Sequence, residues 1–469
     1  MKPKTRIEHD FLGDLEIPED RYYGVQTMRG LQNFHITGVP ISQSPNFIKS
    51  LAYVKKAAAL ANRDLGALEP PIAGAIISAC DCIIAGELLE QFPVDMIQGG
   101  AGTSTNMNAN EVIANKALEI LGHPRGRYEI IHPNNHVNCS QSTNDAYPTA
   151  FRIALFMEIN ALLQSMDALQ DAFARKGKEF SQVLKMGRTQ LQDAVPMTLG
   201  DEFTAFSVTM REDLQRLREA QQLVTEINLG ATAIGTMINA PEGYPELATS
   251  YLREITGIPV KLADHLIEAT SDAGAYVQIS GVLKRIAVKV SKICNDLRLL
   301  SSGPRAGLNE INLPPLQPGS SIMPGKVNPV IPEAVNQIAF HVIGSDVTIA
   351  FAAEAGQLQL NVMEPVIVYC LFHSLMILRR GFYTLKDKCV EGITANEEIC
   401  RSYVLNSIGV VTALNPILGY ETCSAIAKEA LQSGGSVYEI VLRKKLLSKE
   451  KLDEILSPEN LMNPKFINR

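Results

Sequence analysis

The sequence has no long uninterrupted apolar run, no excess of positive charge and no C-x-x-C cysteine pair. Its most apolar stretch, residues 365–378, is interrupted by Tyr369, His373 and Ser374. It is shorter than the about 18 residues that a membrane-spanning helix needs. Residues 1–10 contain basic side chains that no apolar segment follows. The sequence therefore predicts neither a membrane span nor a signal peptide.

Acidic residues outnumber basic ones, with 50 Asp and Glu against 43 Lys and Arg, and the formal net charge is −7. This balance argues against a broad basic surface for nucleic acid, but it allows a small positive pocket for an acidic metabolite. Several of the eight cysteines lie in apolar stretches, and no histidine stands at zinc-finger spacing. We predict a reducing, cytoplasmic compartment, and the alternative is a secreted disulfide-bonded protein.

Nucleotide-binding signatures are also absent. The chain has no phosphate-binding loop of the Walker type and no G-x-G-x-x-G after a strand, and strand-like alternation is sparse. A nucleotide-binding α/β sheet is therefore not expected.

Apolar residues recur at alternating steps of four and three through the middle of the chain, which is typical of long helices in a bundle. The clearest series are Leu155, Ile159, Leu162, Met166, Leu169 and Phe173; Ile279, Leu283, Ile286, Val290, Ile293, Leu297 and Leu300; and Leu371, Leu375, Leu378, Phe382 and Leu385. A less regular series comprises Met210, Leu214, Leu217, Val224 and Ile227. A fifth helix is predicted between Ile331 and Glu354, with Pro332 in its first turn.

The helix predicted at residues 278–300 is apolar on more than one face. Its off-seam apolar residues are Val282, Ala287, Val288, Cys294 and Leu299. Because such a helix must be buried on more than one side, we predict homo-oligomerisation through the bundle. The alternative is a larger helical core within one chain.

These patterns predict a mostly helical protein of three domains. Residues 1–144 form a mixed, mainly helical N-terminal domain with helices at 47–65 and 71–90, and residues 145–395 form the central bundle. Residues 396–469 form a small domain of short helices with turns at Gly419 and Gly434.

Three polar segments rich in small residues interrupt the helical pattern. They are residues 99–108, which lead to a helix predicted at Glu111, then residues 138–145, and residues 318–329 between two long helices. Hydroxyls, amides and free backbone N–H groups near a helix start bind anions, so three such segments suggest a ligand with several carboxylates or phosphates. Each segment alone could also be an ordinary helix cap.

The segment Gly319-Ser-Ser-Ile-Met-Pro-Gly-Lys-Val-Asn-Pro329 resembles the signature loop of the fumarase/aspartase superfamily of lyases. Residues 102–111 and 140–145 resemble the other two conserved regions, and the resemblance runs from Tyr22 to Pro464. It implies three mostly helical domains, of which the central one is a long five-helix bundle. Four such bundles would form a twenty-helix tetramer core, and the active sites would combine residues from different subunits.

Within the superfamily, Gln190 stands where class II fumarases have histidine, as in many aspartate ammonia-lyases. The resemblance therefore implies reversible deamination of L-aspartate to fumarate and ammonia, by anti elimination through an aci-carboxylate intermediate. A class II fumarate hydratase and a non-catalytic homologue remain the alternatives.

The resemblance also implies the site residues. Ser320 would be the general base. Thr103, Ser142, Thr143 and Ser321 would donate to the carboxylate on which charge develops. Lys326 and Asn328 would hold the other carboxylate, and Asn144, Thr189 and Gln190 would contact the amino group or orient the substrate.

We expect no metal cofactor, because no His, Asp and Glu residues have ligand spacing. Activation by a divalent cation, which occurs among the related ammonia-lyases, would use an unknown site. His132 and His136 are interpreted as hydrogen-bonded structural histidines. Met237 stands where the family usually has glycine, so a positive φ there would strain the turn.

Overall fold

The computed structural model describes residues 4–462, which are mostly helical as predicted. The helices are α1 Val25–Asn33, α2 Pro45–Asp64, α3 Pro70–Ala85, α4 Thr103–Ile120, α5 Thr143–Glu179, α6 Leu199–Gln221, α7 Tyr244–Thr256, α8 Leu266–Ser271, α9 Gly274–Leu300, α10 Val330–Glu354, α11 Glu364–Lys388, α12 Glu397–Asn406, α13 Asn415–Leu418, α14 Tyr420–Ser433, α15 Val437–Arg443, α16 Lys449–Ile455 and α17 Pro458–Met462.

Within residues 4–462 the strands form four small two-stranded sheets. The strands are β1 Thr5–Asp10, β2 Gly13–Pro18, β3 Leu184–Thr189, β4 Gln192–Thr198, β5 Glu226–Ile227, β6 Lys261–Leu262, β7 Ile311–Asn312 and β8 Thr394–Ala395. Pairing is antiparallel in β1–β2, β3–β4 and β7–β8 and parallel in β5–β6.

The described residues divide into two compact units. The first comprises residues 4–163, Gln215–Ala287 and Phe340–Leu378, and the second comprises Gln164–Leu214, Val288–Ala339 and residues 379–462. The division into three domains stays a prediction. Residues 463–469, which include the last residue of the family resemblance, Pro464, lie outside the described residues.

Aromatic side chains form part of the core of the first unit. The Phe151 ring of α5 packs against Tyr276 of α9 and Phe372 of α11, with ring centroids 4.7 and 5.5 Å apart. Phe47 of α2 contacts Phe372 and Tyr147 at 5.5 and 5.4 Å. The apolar seam of α5 is thus covered by three other helices.

The second unit packs its own aromatic cluster between α5 and α6. Phe203 and Phe206 of α6 lie 6.4 and 5.7 Å from Phe173 of α5. Towards the C-terminus, short helices surround a separate core, which includes Leu414, Ile426, Ile440 and Leu452. Gly419 and Gly434 mark turns there, with φ values of 78° and 67°, as predicted.

The long helices agree with the predicted series, but several boundaries differ. The third helix ends at Ala85 because Gly86 adopts a left-handed φ of 103°, so the prediction to residue 90 was wrong. Helix α4 begins at Thr103 rather than at Glu111, so part of the polar segment is itself helical. Helix α6 ends at Gln221, and the last residues of its apolar series belong to a 3-10 turn and to β5.

Apolar side chains remain exposed on the long helices. On α9, Val282, Ala287 and Cys294 are buried within the chain, whereas Val288 and Leu299 are 52% and 40% exposed. On α10, exposed apolar residues recur at Phe340, Val347 and Phe351. The chain alone therefore leaves part of the apolar helix surface in contact with water.

Among residues 4–462, one segment, Glu364–Gly392, is long and apolar enough to cross a bilayer. Its apolar window is 56% buried inside the protein, as in the core helix of a soluble protein.

Met237 adopts φ 58°, as expected from its place in a turn that favours glycine. Its backbone N–H donates to the Ala231 carbonyl at 3.2 Å, and its side chain is 46% exposed. The residue therefore carries left-handed strain without a deeply packed side chain to offset it.

We expect Met237→Gly to raise the free energy of unfolding by about 0.5–1 kcal/mol, because glycine adopts a positive φ without steric cost. Urea unfolding of the variant beside the wild type measures the difference. Met323→Gly, which removes a similarly exposed methionine from a position without positive φ, is the control. A midpoint for Met237→Gly equal to or below the wild type would contradict the strain argument.

Candidate active site

The first polar segment turns sharply into α4. Gly102 precedes the helix with φ 91°, and a Cβ at this position would lie 2.5 Å from the Tyr147 ring. Only glycine fits both the backbone and the close contact. Thr103 is exposed at the first turn, and its hydroxyl donates to the Gly100 carbonyl at 2.6 Å. To donate to a substrate, this hydroxyl must rotate away from Gly100.

Helix α5 begins beside α4 and presents Thr143 at its start. The side-chain amide of Asn106, one turn into α4, donates to Thr143 Oγ1 at 3.1 Å. Because Thr143 accepts from Asn106, its own hydroxyl proton is available to a carboxylate oxygen.

Lys55 of α2 is a fully buried residue that the sequence analysis missed. Its Nζ donates to the side-chain oxygens of Asn106, Asn138 and Gln141 at 2.7, 2.9 and 2.9 Å. Burial lowers the pKa of Lys55 from 10.5 to about 7, against the opposing effect of the Asp145 carboxylate. Since an ammonium group only donates, Lys55 orients the Asn106 oxygen towards itself and the amide NH₂ towards Thr143.

Asp145 is the second buried support of this region. Its carboxylate accepts from the backbone N–H groups of Ser142, Gly230 and Thr232 at 2.9, 3.1 and 2.9 Å. Burial raises the pKa of Asp145 to about 6, while these N–H groups favour the ionised form. Asp145 thereby fixes the backbone of the second polar segment to the turn after β5.

Ser142 and Asn144 stand on either side of Thr143 and are partly buried. Ser142 Oγ accepts from the Asn144 N–H at 3.3 Å, and the Asn144 side chain donates to the Ala233 carbonyl at 2.7 Å. A cavity of about 350 Å³ opens beside Ser142, with Ser140 and Asn239 in its wall.

His136 lies within a short π-helical turn, Pro133–Val137, and His132 immediately precedes it. His136 Nδ1 accepts from the His132 N–H at 2.8 Å, and His132 Nδ1 accepts from the Asn134 N–H at 3.0 Å. Burial lowers the pKa of both imidazoles. These bonds agree with the structural role predicted for both histidines.

In the second unit, Thr189 and Gln190 lie at the exposed tip of the β3–β4 hairpin. Thr189 pairs with Gln192, so Gln190 and Leu191 form a two-residue turn, with φ 54° and 61°. Such turns favour Asn and Gly, and the presence of two larger residues marks local strain.

The signature loop, residues 318–329, carries Ser320. Ser320 Oγ accepts from the backbone N–H groups of Ile322 and Met323 at 3.2 and 3.0 Å. Two N–H donors on one oxygen favour its anionic form. Both donors follow Ser320 in the chain, so the loop turns back over the oxygen that it carries.

The remaining loop residues are positioned by backbone contacts. Asn328 Nδ2 donates to the Gly319 carbonyl at 2.7 Å, and the Gly319 N–H donates to the Lys326 carbonyl at 2.7 Å. These bonds close the base of the loop, whereas Ser321 and Lys326 have exposed side chains. Gly325 has φ 82°, which explains the glycine before the lysine.

Contacts connect several of the candidate residues within each unit. In the first unit, Asn106 of α4 joins the start of that helix to Thr143, between Ser142 and Asn144. In the second unit, Ser320 and Asn328 belong to one closed loop, and Thr189 and Gln190 to one hairpin. The assignment of all ten to one substrate site stays a prediction. Within the part of the chain that the structure describes, no three His, Cys, Asp or Glu side chains form a metal-binding group.

The model of a lyase family matches residues 13–344, and a model of the fumarase C C-terminus matches residues 410–463. The aspartate ammonia-lyase of Helicobacter pylori is 62% identical, over 98% of this chain and 98% of that protein.

Solved structures of related lyases are also similar to this chain in sequence and fold. A fumarate lyase:delta crystallin from Brucella melitensis bound to cobalt is 55% identical, with TM-score 0.96, over 98% of this chain and 100% of that chain. The class II fumarase from Schistosoma mansoni is 35% identical, with TM-score 0.92, over 98% of this chain and 100% of that chain. The signature loop, the helical fold and these matches agree: the chain belongs to the fumarase/aspartase superfamily of lyases.

Proposed function

We propose that the chain is an aspartate ammonia-lyase, which converts L-aspartate reversibly to fumarate and ammonia. The observation that carries this proposal is Ser320, whose oxygen accepts two backbone N–H groups within the signature loop. The 62% identity to an enzyme of that name, over nearly the full length of both chains, supports aspartate as the substrate.

The difficult step is removal of a proton from the carbon next to a carboxylate. The ionised Ser320 oxygen takes the Cβ proton, and the electron pair moves into an aci-carboxylate. That pair then forms the carbon–carbon double bond while the C–N bond breaks and ammonia leaves. The N–H groups of Ile322 and Met323 stabilise the oxygen anion that starts the reaction.

Neutral donors suit the carboxylate on which charge accumulates, because their bonds strengthen as the charge develops and need no proton transfer. We assign this role to Thr103, Ser142, Thr143 and Ser321. Lys326 with Asn328 binds the second carboxylate as a point charge. Asn144, Thr189 and Gln190 contact the amino group or orient the substrate.

We also propose a homotetramer with active sites shared between subunits. The exposed apolar side chains of α9 and α10, such as Val288 and Phe351, support an interface along these helices. The exposed hairpin tip at Gln190 is suited to reach a neighbouring subunit.

The proposed compartment is the cytoplasm, since all eight cysteines are free and most are buried. No cofactor enters the proposed steps. Activation by a divalent cation stays a prediction without an assigned site.

Fumarate formation tests the reaction against the hydratase alternative. We expect ultraviolet absorbance of fumarate to rise with L-aspartate and not with L-malate, because Gln190 replaces the histidine of class II fumarases. Fumarate from malate alone would make the chain a hydratase. No fumarate from either substrate would favour the non-catalytic alternative.

Ser320→Ala should lower kcat at least about 100-fold, because it removes the base while the bonds of Gly319 and Asn328 that close the loop remain. The tetramer, measured by light scattering, should persist. Ser402→Ala, an exposed serine on α12, is the control for the same chemical change. Full turnover in Ser320→Ala would show that another group is the base.

Lys326→Ala should raise KM about 10- to 100-fold with a smaller change in kcat, because a charge-assisted carboxylate contact is lost. Steady-state kinetics with aspartate give both constants. Lys449→Ala, which removes an exposed lysine at the start of α16, controls for the change in net charge. An unchanged KM would exclude Lys326 from substrate binding.

Lys55→Met should make stability less dependent on pH. Since burial lowers the pKa of Lys55 to about 7, the unfolded chain binds more protons than the folded chain between that pH and the pKa of a free lysine. Lys55 therefore makes the free energy of unfolding rise with pH across this window. The Tm of the wild type relative to that of Lys55→Met should rise from pH 7 to pH 9, and a constant difference would contradict the lowered pKa. Lys49→Met, the same substitution at another lysine of α2, is the control.

A further inference from the structure

Four charged side chains form a network at the base of the β3–β4 hairpin, around the buried Lys185 and Glu310. Glu310 is fully buried, and its two carboxylate oxygens face different cations, Arg188 at 2.6 Å and Lys185 at 3.0 Å. Lys185 also pairs with Glu202 of α6. The network holds two positive and two negative charges, so its net charge is zero.

The two carboxylates keep Lys185 in its charged form. Burial lowers the pKa of Lys185, but Glu202 and Glu310 outweigh it, so the pKa is raised above its usual value. Removing one partner from such a group leaves an uncompensated buried charge, which is far more costly than losing an exposed ion pair.

On the hairpin side, the network fixes the strand that carries Thr189. The pairing of β3 with β4 shifts at a bulge between Met186 and Arg188, next to the point where Arg188 pairs with Glu310. Beyond Arg188 the tip is exposed and contains the strained turn at Gln190 and Leu191. A strained turn persists only where its surroundings determine it. Arg188 and its cross-strand partner Asp193, which accepts from the Ser407 hydroxyl at 2.8 Å, anchor the two strands that lead to this turn.

On the loop side, Glu310 is fixed through its own backbone. Its N–H donates to the Leu300 carbonyl at 2.8 Å, and its carbonyl accepts from the Asn396 N–H at 2.9 Å. The next two residues form β7, which pairs with β8 and leads towards the signature loop. Glu310 thus stands at the stem of the segment that carries Ser320.

An aromatic contact adds to the role of the arginine. The Arg188 guanidinium lies 5.5 Å from the centre of the Tyr403 ring, whose hydroxyl donates to the Leu308 carbonyl at 3.1 Å. A lysine at this position would keep the charge but lose the planar group that contacts Tyr403 and Glu310 together.

We propose that Arg188 and Glu310 are positioning residues, which hold the Thr189–Gln190 hairpin tip and the stem of the signature loop in fixed relation. Lys185 and Glu202 complete the charge balance. The kinetic part of this inference rests on the proposed function, because Thr189, Gln190 and Ser320 are substrate-contacting residues only within it.

Glu310→Gln is the main test. An amide has one acceptor oxygen, so it can serve only one of the two cations and turns its NH₂ towards the other. Asp213→Asn is the matched control, because Asp213 is also a fully buried carboxylate in the same unit, 3.1 Å from Lys289. Both full-length variants lose one buried negative charge, but only the first lies between the hairpin and the loop.

Hydrogen exchange of the peptide covering residues 184–198, measured without substrate, reports the hairpin directly. We expect Glu310→Gln to speed exchange at the tip by about fivefold or more and Asp213→Asn to leave it unchanged. Per folded enzyme, kcat for aspartate should fall about tenfold in Glu310→Gln with a smaller change in KM. A purely structural role would lower Tm in both variants and leave kcat per folded enzyme unaltered.

Wild-type exchange at the tip in Glu310→Gln, or an equal change in Asp213→Asn, would overturn the proposal. If Glu310→Gln does not fold, Arg188→Lys is the deciding variant. We expect it to speed hydrogen exchange at the tip. Unchanged exchange together with unchanged kinetics would contradict the inference. A wild-type enzyme that forms no fumarate from aspartate would refute the proposed function alone, since the exchange measurement still tests the anchoring.

Discussion

A helix that is apolar on more than one side must be buried on more than one side, and the rest of this structure depends on that constraint. It determines the packing of α5, where Phe151 and Phe173 contact neighbouring helices in the two units. The helix bodies are packed against one another, and several candidate site residues lie at their ends. Thr103 and Thr143 each begin a helix, and Asn328 stands just before another. Groups at the ends of packed helices keep their positions better than groups on free loops.

Much of the fold and of the candidate site could be predicted because it depends on short-range patterns. The apolar periodicity correctly indicated the long helices, and the loop around Ser320 stands out by its glycines and prolines. The start of α4 could not be found, because residues 103–108 are polar apart from Met107, and their burial in the fold cannot be recognised from the local sequence. Lys55, Asp145 and Glu310 were missed for a different reason. Each has partners distant in sequence, which for Asp145 are Gly230 and Thr232, and nothing local distinguishes a buried charge from an exposed one.

Two buried lysines, Lys55 and Lys185, are stabilised away from water in opposite ways. Lys55 is met by three neutral amide oxygens, and its pKa is lowered. Lys185 is met by two carboxylates, and its pKa is raised. The first arrangement leaves an amine that is easily neutralised, whereas the second fixes a permanent charge. Both lysines lie next to segments that carry candidate substrate contacts. Lys55 orients the amide that contacts Thr143, and Lys185 belongs to the strand that carries Thr189.

Each compact unit is assembled from three separate stretches of chain, and this has a consequence for synthesis. The first unit needs Phe340–Leu378, and the second begins only at Gln164 and extends into the C-terminal helices. A growing chain on the ribosome therefore cannot complete either unit until most of the protein has been made. Until then the apolar faces of the early helices lack their partners, which is the state in which nascent chains aggregate or bind chaperones. The interleaved order of the segments therefore delays completion of the first unit until Leu378 has been made, and of the second until the C-terminal helices have been made.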